Sequence, residues 1–473
     1  MVLIVPDSRV PHTFDSISRR ITLVIAGVML AGCATPPVPD LSVRTPEAWS
    51  QSPTPAAPPA QMQEWWKALH DPALDALVGE ALNKNLDIAQ AAKRLQRERI
   101  LAGHARAHFL PVFSAGARSL QDLSTADDYF QASLDMVWEL GLFGAAESTR
   151  LAANADLHTA QARGQGTRVA VVAAVVRAYL ELKTARYQAS LFANMQTLDE
   201  QADKLAQVRL RAHINEADEP VQITMRAAQA RAARAQALEA ADTAALSLAV
   251  LLGRETPDPV WAEAAAEPTE PEFTLTQLPA DLLRTRPDIQ VAEAEVLRAA
   301  AVLGLARSAL YPRFALSGAF TYSYNLTRSS HVSGDNTPSF GPVIDIPLWD
   351  WGLRRAQVDA DEQELDAALL GYHKAVLDGV AEVQGALAAL ARQHERAAAY
   401  EEVLKARQAG QQSQGVLLSQ GLSSQFDGLG ERRAVLEARI ELASARAAQE
   451  QAFVALYKAL GGAPLPPAEA MNP

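Results

Sequence analysis

Apolar and polar residues alternate along residues 129–140, YFQASLDMVWEL. Phe130, Ala132, Leu134, Met136, Trp138 and Leu140 share one face, and Gln131, Ser133, Asp135 and Glu139 the other, which is the period of a β-strand. Residues 313–324, RFALSGAFTYSY, do the same, with Phe314, Leu316, Phe320, Tyr322 and Tyr324 opposite Ser317, Thr321 and Ser323. Segments 111–121 and 340–349 alternate less cleanly and complete four predicted strands. Each matches a tilted transmembrane strand, roughly 9–11 residues. Elsewhere the pattern is helical. Helices are predicted over about 72–108 and 279–310, stopped by Pro111 and Pro312. No proline occurs from 145 to 219 or from 353 to 463. A helix over 145–212 would be about 100 Å long at about 1.5 Å per residue. The break at 213–217, HINEA, precedes Asp218, a good N-cap, and Pro220, tolerated in a first turn, so the next helix runs over 218–252. In the second half the break holds Gly421, Ser423 and Ser424.

The two halves repeat. At an offset of 201, nine of the 27 positions from 87 to 113 are identical without a gap, among them Asp87-Ile88 with Asp288-Ile289 and Pro111 with Pro312. Further on the offset is 208, which matches Leu140 with Leu348, Gly144 with Gly352 and Leu252-Gly253 with Leu460-Gly461. An intragenic duplication is the simplest source. Two repeats are therefore expected, over 61–253 and 279–463, with an inter-repeat linker at 254–278 and a tail at 464–473.

A plain antiparallel coiled coil would account for the helices but not for the strands. Four strands cannot close a barrel, and an open sheet edge cannot sit in lipid. Three copies would give 12 strands, counting four per chain. The expected fold is thus mainly α with a small transmembrane β part: a trimeric 12-stranded outer-membrane barrel continuous with a long periplasmic α-helical barrel.

Composition fits this picture. Hydrophobic residues make up 49% of the chain but aromatics only 6%, so the apolar content is mostly alanine, leucine and valine, as in long, closely packed helices. The formal charge of −12 disfavours nucleic acid as a partner. The one cysteine, Cys33, follows Arg19-Arg20, the short apolar run 21–30 and Leu30-Ala31-Gly32. That order is an export signal over 1–32, with an apolar run too short to span a membrane. Leu30, Ala31, Gly32 and Cys33 resemble the lipobox of bacterial lipoproteins, whose cysteine carries N-acyl and S-diacylglycerol groups. The competing reading is a buried free thiol. Residues 34–60 hold eight prolines and read as an extended tether from lipid to body.

Several motifs together carry a family resemblance. They are Trp65-Trp66 with Asp71-Pro72, then Arg286-Pro287-Asp288-Ile289, the run GLARSALYP over 304–312, and LYKALGG over 456–462. On these the chain resembles the TolC-like outer-membrane efflux proteins, in the lipoprotein (OprM-like) branch, over about residues 60–463. The resemblance implies the exit duct of a tripartite pump. A periplasmic adaptor and an inner-membrane transporter, of RND type for this branch, would dock at the helical tips. No cofactor and no enzymatic activity are expected, on the motifs taken up below. The chain departs from the family pattern at His213, where glycine is common, and at Leu417, where arginine is common. Gly430 falls where related ducts carry an acidic gate residue.

The tip and gate candidates are His213, Asp218, Glu219, Phe426, Asp427, Glu431 and Arg433. His213 is either a pH-sensing or adaptor contact or merely solvated. Asp218, Glu219 and Asp427 form acidic rings that favour cations, cap helices, or do both. Trp65-Trp66 is either an interfacial anchor or packing, and Trp138, Tyr322 and Tyr324 either an aromatic girdle or packing. No hydrolase, metalloprotease or nucleotide-binding motif occurs in its proper setting. His104 and His108 are the one pair at metal-ligand spacing, without a third ligand. The cargo expected is small amphiphilic compounds. A protein-secretion duct and a non-conducting envelope lipoprotein are the alternatives.

Overall fold

The computed structural model describes residues 41–42, 63–122, 127–213, 218–263, 266–269, 285–327 and 335–462. The expected signal, the lipobox with Cys33, most of the tether, part of the linker and the tail lie outside them. Helices α1 (Pro72–Lys84), α2 (Leu86–Gly103), α3 (Ala145–Arg211), α4 (Asp218–Leu251), α5 (Pro287–Ser308), α6 (Leu353–Ser419) and α7 (Gln425–Ala459) accompany strands β1 (Val112–Asp122), β2 (Asp127–Glu139), β3 (Arg313–Asn325) and β4 (Asp335–Asp345). Among the described residues no helix is long and apolar enough to cross a membrane.

Three predicted elements differ from the structure. In the helix predicted over 279–310, Thr285 and Arg286 are not helical and the described helix starts at Pro287. The helix predicted over 72–108 is broken at Asn85, whose backbone is extended at φ −64° and ψ 130°. Its Oδ1 accepts the amides of Asp87 and Ile88, at 2.9 and 3.1 Å, and so caps α2. The fourth strand lies at 335–345 rather than 340–349. Pro347 cannot donate to a ladder, and Asp350 instead turns the chain by accepting the amide of Gly352 at 3.1 Å.

One compact unit gathers residues 97–158 and 293–371. Its four strands form one antiparallel sheet in the order β1-β2-β3-β4, with β1 and β4 as free edges. The pairing aligns the alternating faces. Phe113, Met136 and Gly318 lie in one cross-strand row, Ala115, Leu134 and Phe320 in the next. On the other face Ser114 meets Asp135, and Gly116, Ser133 and Thr321 form a row. Trp138 donates its indole N–H to the Phe109 carbonyl at 3.0 Å, so this ring is tied to the turn before β1.

The second unit holds the described residues within 42–96, 159–292 and 372–473. Asp71 starts α1 by accepting the Ala73 and Leu74 amides, and its other oxygen accepts from Tyr179 Oη and Lys183 Nζ, each at 2.8 Å. Trp65 and Trp66 are buried. Trp65 stacks on Tyr457 with ring centroids 5.2 Å apart and donates to the Gly462 carbonyl at 3.1 Å. Packing, not an interfacial anchor, is what this pair does. Around it Leu74 and Val78 of α1, Val172 and Val176 of α3, Leu248 of α4 and Phe453 of α7 close one core. Alanines between them let the helices approach closely.

The duplication is visible in this unit's hydrogen bonds. Asn85 Nδ2 donates to the last turn of α4 at Leu251 O, 2.9 Å away. Arg286, its counterpart at an offset of 201, donates to Ala459 O in the last turn of α7, the counterpart of Leu251 at 208. Each satisfies a carbonyl that a helix end leaves without an internal partner.

Candidate functional site at the helix turns

All seven candidates lie where α3 turns into α4 and α6 turns into α7, inside the second unit. The described residues that follow α3 and α6 share the same geometry. His213 follows α3 in the left-handed region, at φ 56°, and its amide donates to Leu210 O at 3.1 Å. Gly421, its counterpart at an offset of 208, follows α6 at φ 73°. Glycine adopts this conformation without a Cβ penalty, whereas histidine pays for it. His213 is exposed and has its strained backbone at the first tip.

Ser424 caps α7. Its Oγ accepts the Asp427 amide at 3.2 Å, and the Asp427 carboxylate accepts the Ser424 amide at 3.1 Å, a reciprocal capping box. Hydrogen bonds from Ser424 hold the Asp427 carboxyl below its ordinary value. Asp427 therefore acts as a helix cap. The side chain of Asp218 lies outside the described residues. Glu219 has one carboxylate oxygen, Oε2, buried without a hydrogen-bond partner among them.

Phe426 and Leu429 pack on Ala202, Ala206 and Ile223, so the second tip is held against α3 and α4 by an apolar cluster. The Arg209 guanidinium sits over the Phe426 ring, 4.8 Å from its centroid. Arg433 pairs with Asp199 of α3 and, at 3.1 Å, with Glu437. Asp199 is only 2% exposed. Burial pushes its carboxyl up, and Arg433 opposes the rise. Arg433 is thus a tie between α3 and α7. Glu431 reaches over Gly410 of α6, where a Cβ would stand 3.6 Å from its Oε2. Gly430 faces open space.

A groove of about 800 Å³ opens beside these ties, lined by Gln201 and Lys204 of α3, Gln411 and Gln414 of α6, and Gln425 and Arg432 of α7. Neither Asp199 nor Arg209 is singled out by sequence spacing, because their partners lie more than 200 residues away and helical periodicity is silent about which helix sits opposite. His104, one residue past the end of α2, places its Nδ1 2.7 Å from the Ile100 carbonyl of that helix. No cluster of three or more metal-type ligands occurs among the described residues.

Long helices joined by short turns, with a membrane-length sheet that is apolar on one face and polar on the other, define an outer-membrane channel component. The model for outer membrane efflux proteins matches residues 77–254 and 278–462, and the chain belongs to that family. It is 27% identical to Nodulation protein T of Rhizobium leguminosarum bv. viciae, covering 94% of this chain and 92% of that one. It is 28% identical to the toluene efflux pump outer membrane protein TtgI of Pseudomonas putida, over 93% and 97%. Among solved structures, the outer-membrane channel OprN superposes with a TM-score of 0.74 at 26% identity, over 92% of this chain and all of that one. The open state of the Neisseria gonorrhoeae channel MtrE superposes at 0.78, with 24% identity and 91% and 98% coverage, a likeness of fold.

Proposed function

We propose that the protein is a lipid-anchored homotrimeric exit duct of a tripartite efflux pump, conducting small amphiphilic compounds passively out of the cell. The observation that carries the reading is the four-stranded sheet with both edges free and one face apolar. In hydrocarbon an unpaired edge costs several kcal/mol per exposed backbone group, so the edges need partners. Three copies supply 12 strands, four from each, within the range of closed barrels. The polar rows then line the lumen.

In this reading the turns at 213–217 and 420–424 face a periplasmic adaptor and an inner-membrane transporter of RND type, which supplies the energy. The outer membrane lipid holds the chain through Cys33. Toluene and solvent in the names of relatives support small-molecule cargo for this duct. The detergent-corrected mass of protein extracted from outer membranes tests the assembly: three chains are expected, and a folded monomer would refute it. Single-channel recording then tests conduction. Trimers that stay silent even with Arg433 and Phe426 replaced would favour a non-conducting envelope lipoprotein.

A further inference from the structure

The linker between the repeats is held at two places within the second unit, and the two are built differently. At its start Arg254 reaches Glu80 of α1 at 2.6 Å and Asp258 at 3.1 Å, and its guanidinium lies over the ring of the buried Trp261. The hydrogen bond from Arg254 holds the Glu80 carboxyl below its ordinary value, so this anchor keeps its charges through neutral pH. Further on, residues 266–269 meet α7. Pro268 is buried, Glu267 pairs with Arg446 at 2.7 Å, and the Thr269 amide donates to Glu450 at 2.9 Å.

Glu450 is the weak member of this second anchor. It is buried and, among the described residues, pairs with no cation. The two cations that face it are bound elsewhere. Lys183 of α3 holds Asp71 at 2.8 Å, and Arg446 of α7 holds Glu267 and, at 3.4 Å, Glu401 of α6, which also holds Lys405. Tyr187 of α3 faces Glu267, and His394 Nδ1 of α6 stands 3.4 Å from Gln449 Nε2. The duplication shows what the linker adds. At an offset of 208 Glu450 corresponds to Asp242 of α4, and His394 to Arg186 of α3. Asp242 pairs with Arg186 at 2.7 Å, and its side chain is 67% exposed. The same helical position is a wet, paired acid in the first repeat and a dry, unpaired one in the second, where Thr269 sits on it.

We infer that residues 266–269 form a strap that is seated on α7 while Glu450 carries its proton and lifts when Glu450 ionises, with Arg254 and Trp261 holding the linker at its other end. The strap stands apart from the duct reading, because every group in it lies within one chain. An ionised Glu450 kept in place would be a buried charge with one amide bond, which costs several kcal/mol. Water reaches it most cheaply by moving the short strap rather than α7, which Phe453, Val454 and Tyr457 fix in the core. Burial pushes this carboxyl up to about 7, against the Thr269 amide and the Lys183 and Arg446 charges. With the strap lifted it returns to the ordinary 4.5. A group raised in the closed state favours closure fully below 4.5, and that preference is lost as pH rises to 7, beyond which it stays lost. From pH 5.5 to 8 the equilibrium constant for lifting therefore rises about 30-fold.

Hydrogen exchange of the full-length protein in mild detergent tests this, with each rate divided by the intrinsic amide rate at its pH. Peptides spanning 266–269 should lose about 30-fold in protection between pH 5.5 and 8, and peptides spanning 259–263 should keep theirs. Glu450→Gln keeps an acceptor for Thr269 and cannot ionise, so its protection at 266–269 should not change with pH. Flat protection at 266–269 in the wild type would overturn the strap. So would an equal loss at 259–263, which means that the whole linker opens, or the same loss in Glu450→Gln, which assigns the titration to another group. Should Glu450→Gln not fold, the comparison of the two linker ends in the wild type still decides.

Discussion

Glu450 of α7 is buried, at 3% exposure, where it accepts the Thr269 amide at 2.9 Å. Burial pushes its carboxyl up from 4.5 to about 7, against the pull of that hydrogen bond and of the Lys183 and Arg446 charges. A carboxyl raised in the folded state gives stability that is complete below its unfolded value and is lost as pH rises through the folded one. The window is therefore pH 4.5 to 7. A tenfold difference in proton affinity between the folded and unfolded chain is worth about 1.4 kcal/mol, so roughly 1.4 kcal/mol is gone at pH 5.5 and about 3.3 kcal/mol at pH 8. Glu450→Gln keeps an acceptor for Thr269 and removes the titration. Between pH 5.5 and 8 the wild type should lose about 2 kcal/mol that the variant keeps. Unfolding in mild detergent, followed by circular dichroism across that pH range, measures the difference. Parallel pH curves would show that Glu450 is already ionised at pH 5.5 and that burial does not dominate its environment. A variant less stable at pH 8 would show that its negative charge is needed.

Arg433→Ala leaves Asp199 buried beside a missing cation and should cost about 3 kcal/mol, most of it recovered by adding Asp199→Asn; a double-mutant cycle on unfolding midpoints reads the coupling. His213→Gly should relieve about 1 kcal/mol of left-handed strain, seen as slower amide exchange in the last turn of α3, whereas His213→Ala should leave it unchanged. Trp65→Ala opens a cavity against Phe453 and Tyr457 and should destabilise by about 3–5 kcal/mol, measured as a lower melting midpoint. Cys33→Ala should abolish incorporation of labelled palmitate and release the protein from outer-membrane lipid unless the barrel alone retains it.

The long elements are legible because each carries its own period. The alternation over 129–140 falls on the observed β2, the proline-free stretches hold α3, α6 and α7, and α4 starts at Asp218 with Pro220 in its first turn. The αL turns at His213 and Gly421 follow from where the helices stop. The errors are local. Asn85 reads as one polar residue in a helical pattern, yet its amide bridges α2 and the end of α4, a contact 166 residues away. The weak alternation after residue 335 leaves β4 five residues out, and only its pairing with β3 fixes it. Asp427 reads as a lumen ring, a cap or both, and the reciprocal bonds with Ser424 show the cap.

The sequence by itself determined the duplication, the helix and strand types and the four-strand count, because periodicity and proline act along the chain. Tertiary structure decided which charges are partnered. Alanine-rich helix surfaces fit several neighbours equally, so nothing local tells Arg433 to meet Asp199 or Arg209 to cover Phe426. Tertiary structure also decided which apolar residues stay uncovered. Phe143 and Trp351 hold the same turn, and only the fold gives Phe143 its aromatic neighbours and leaves Trp351 open.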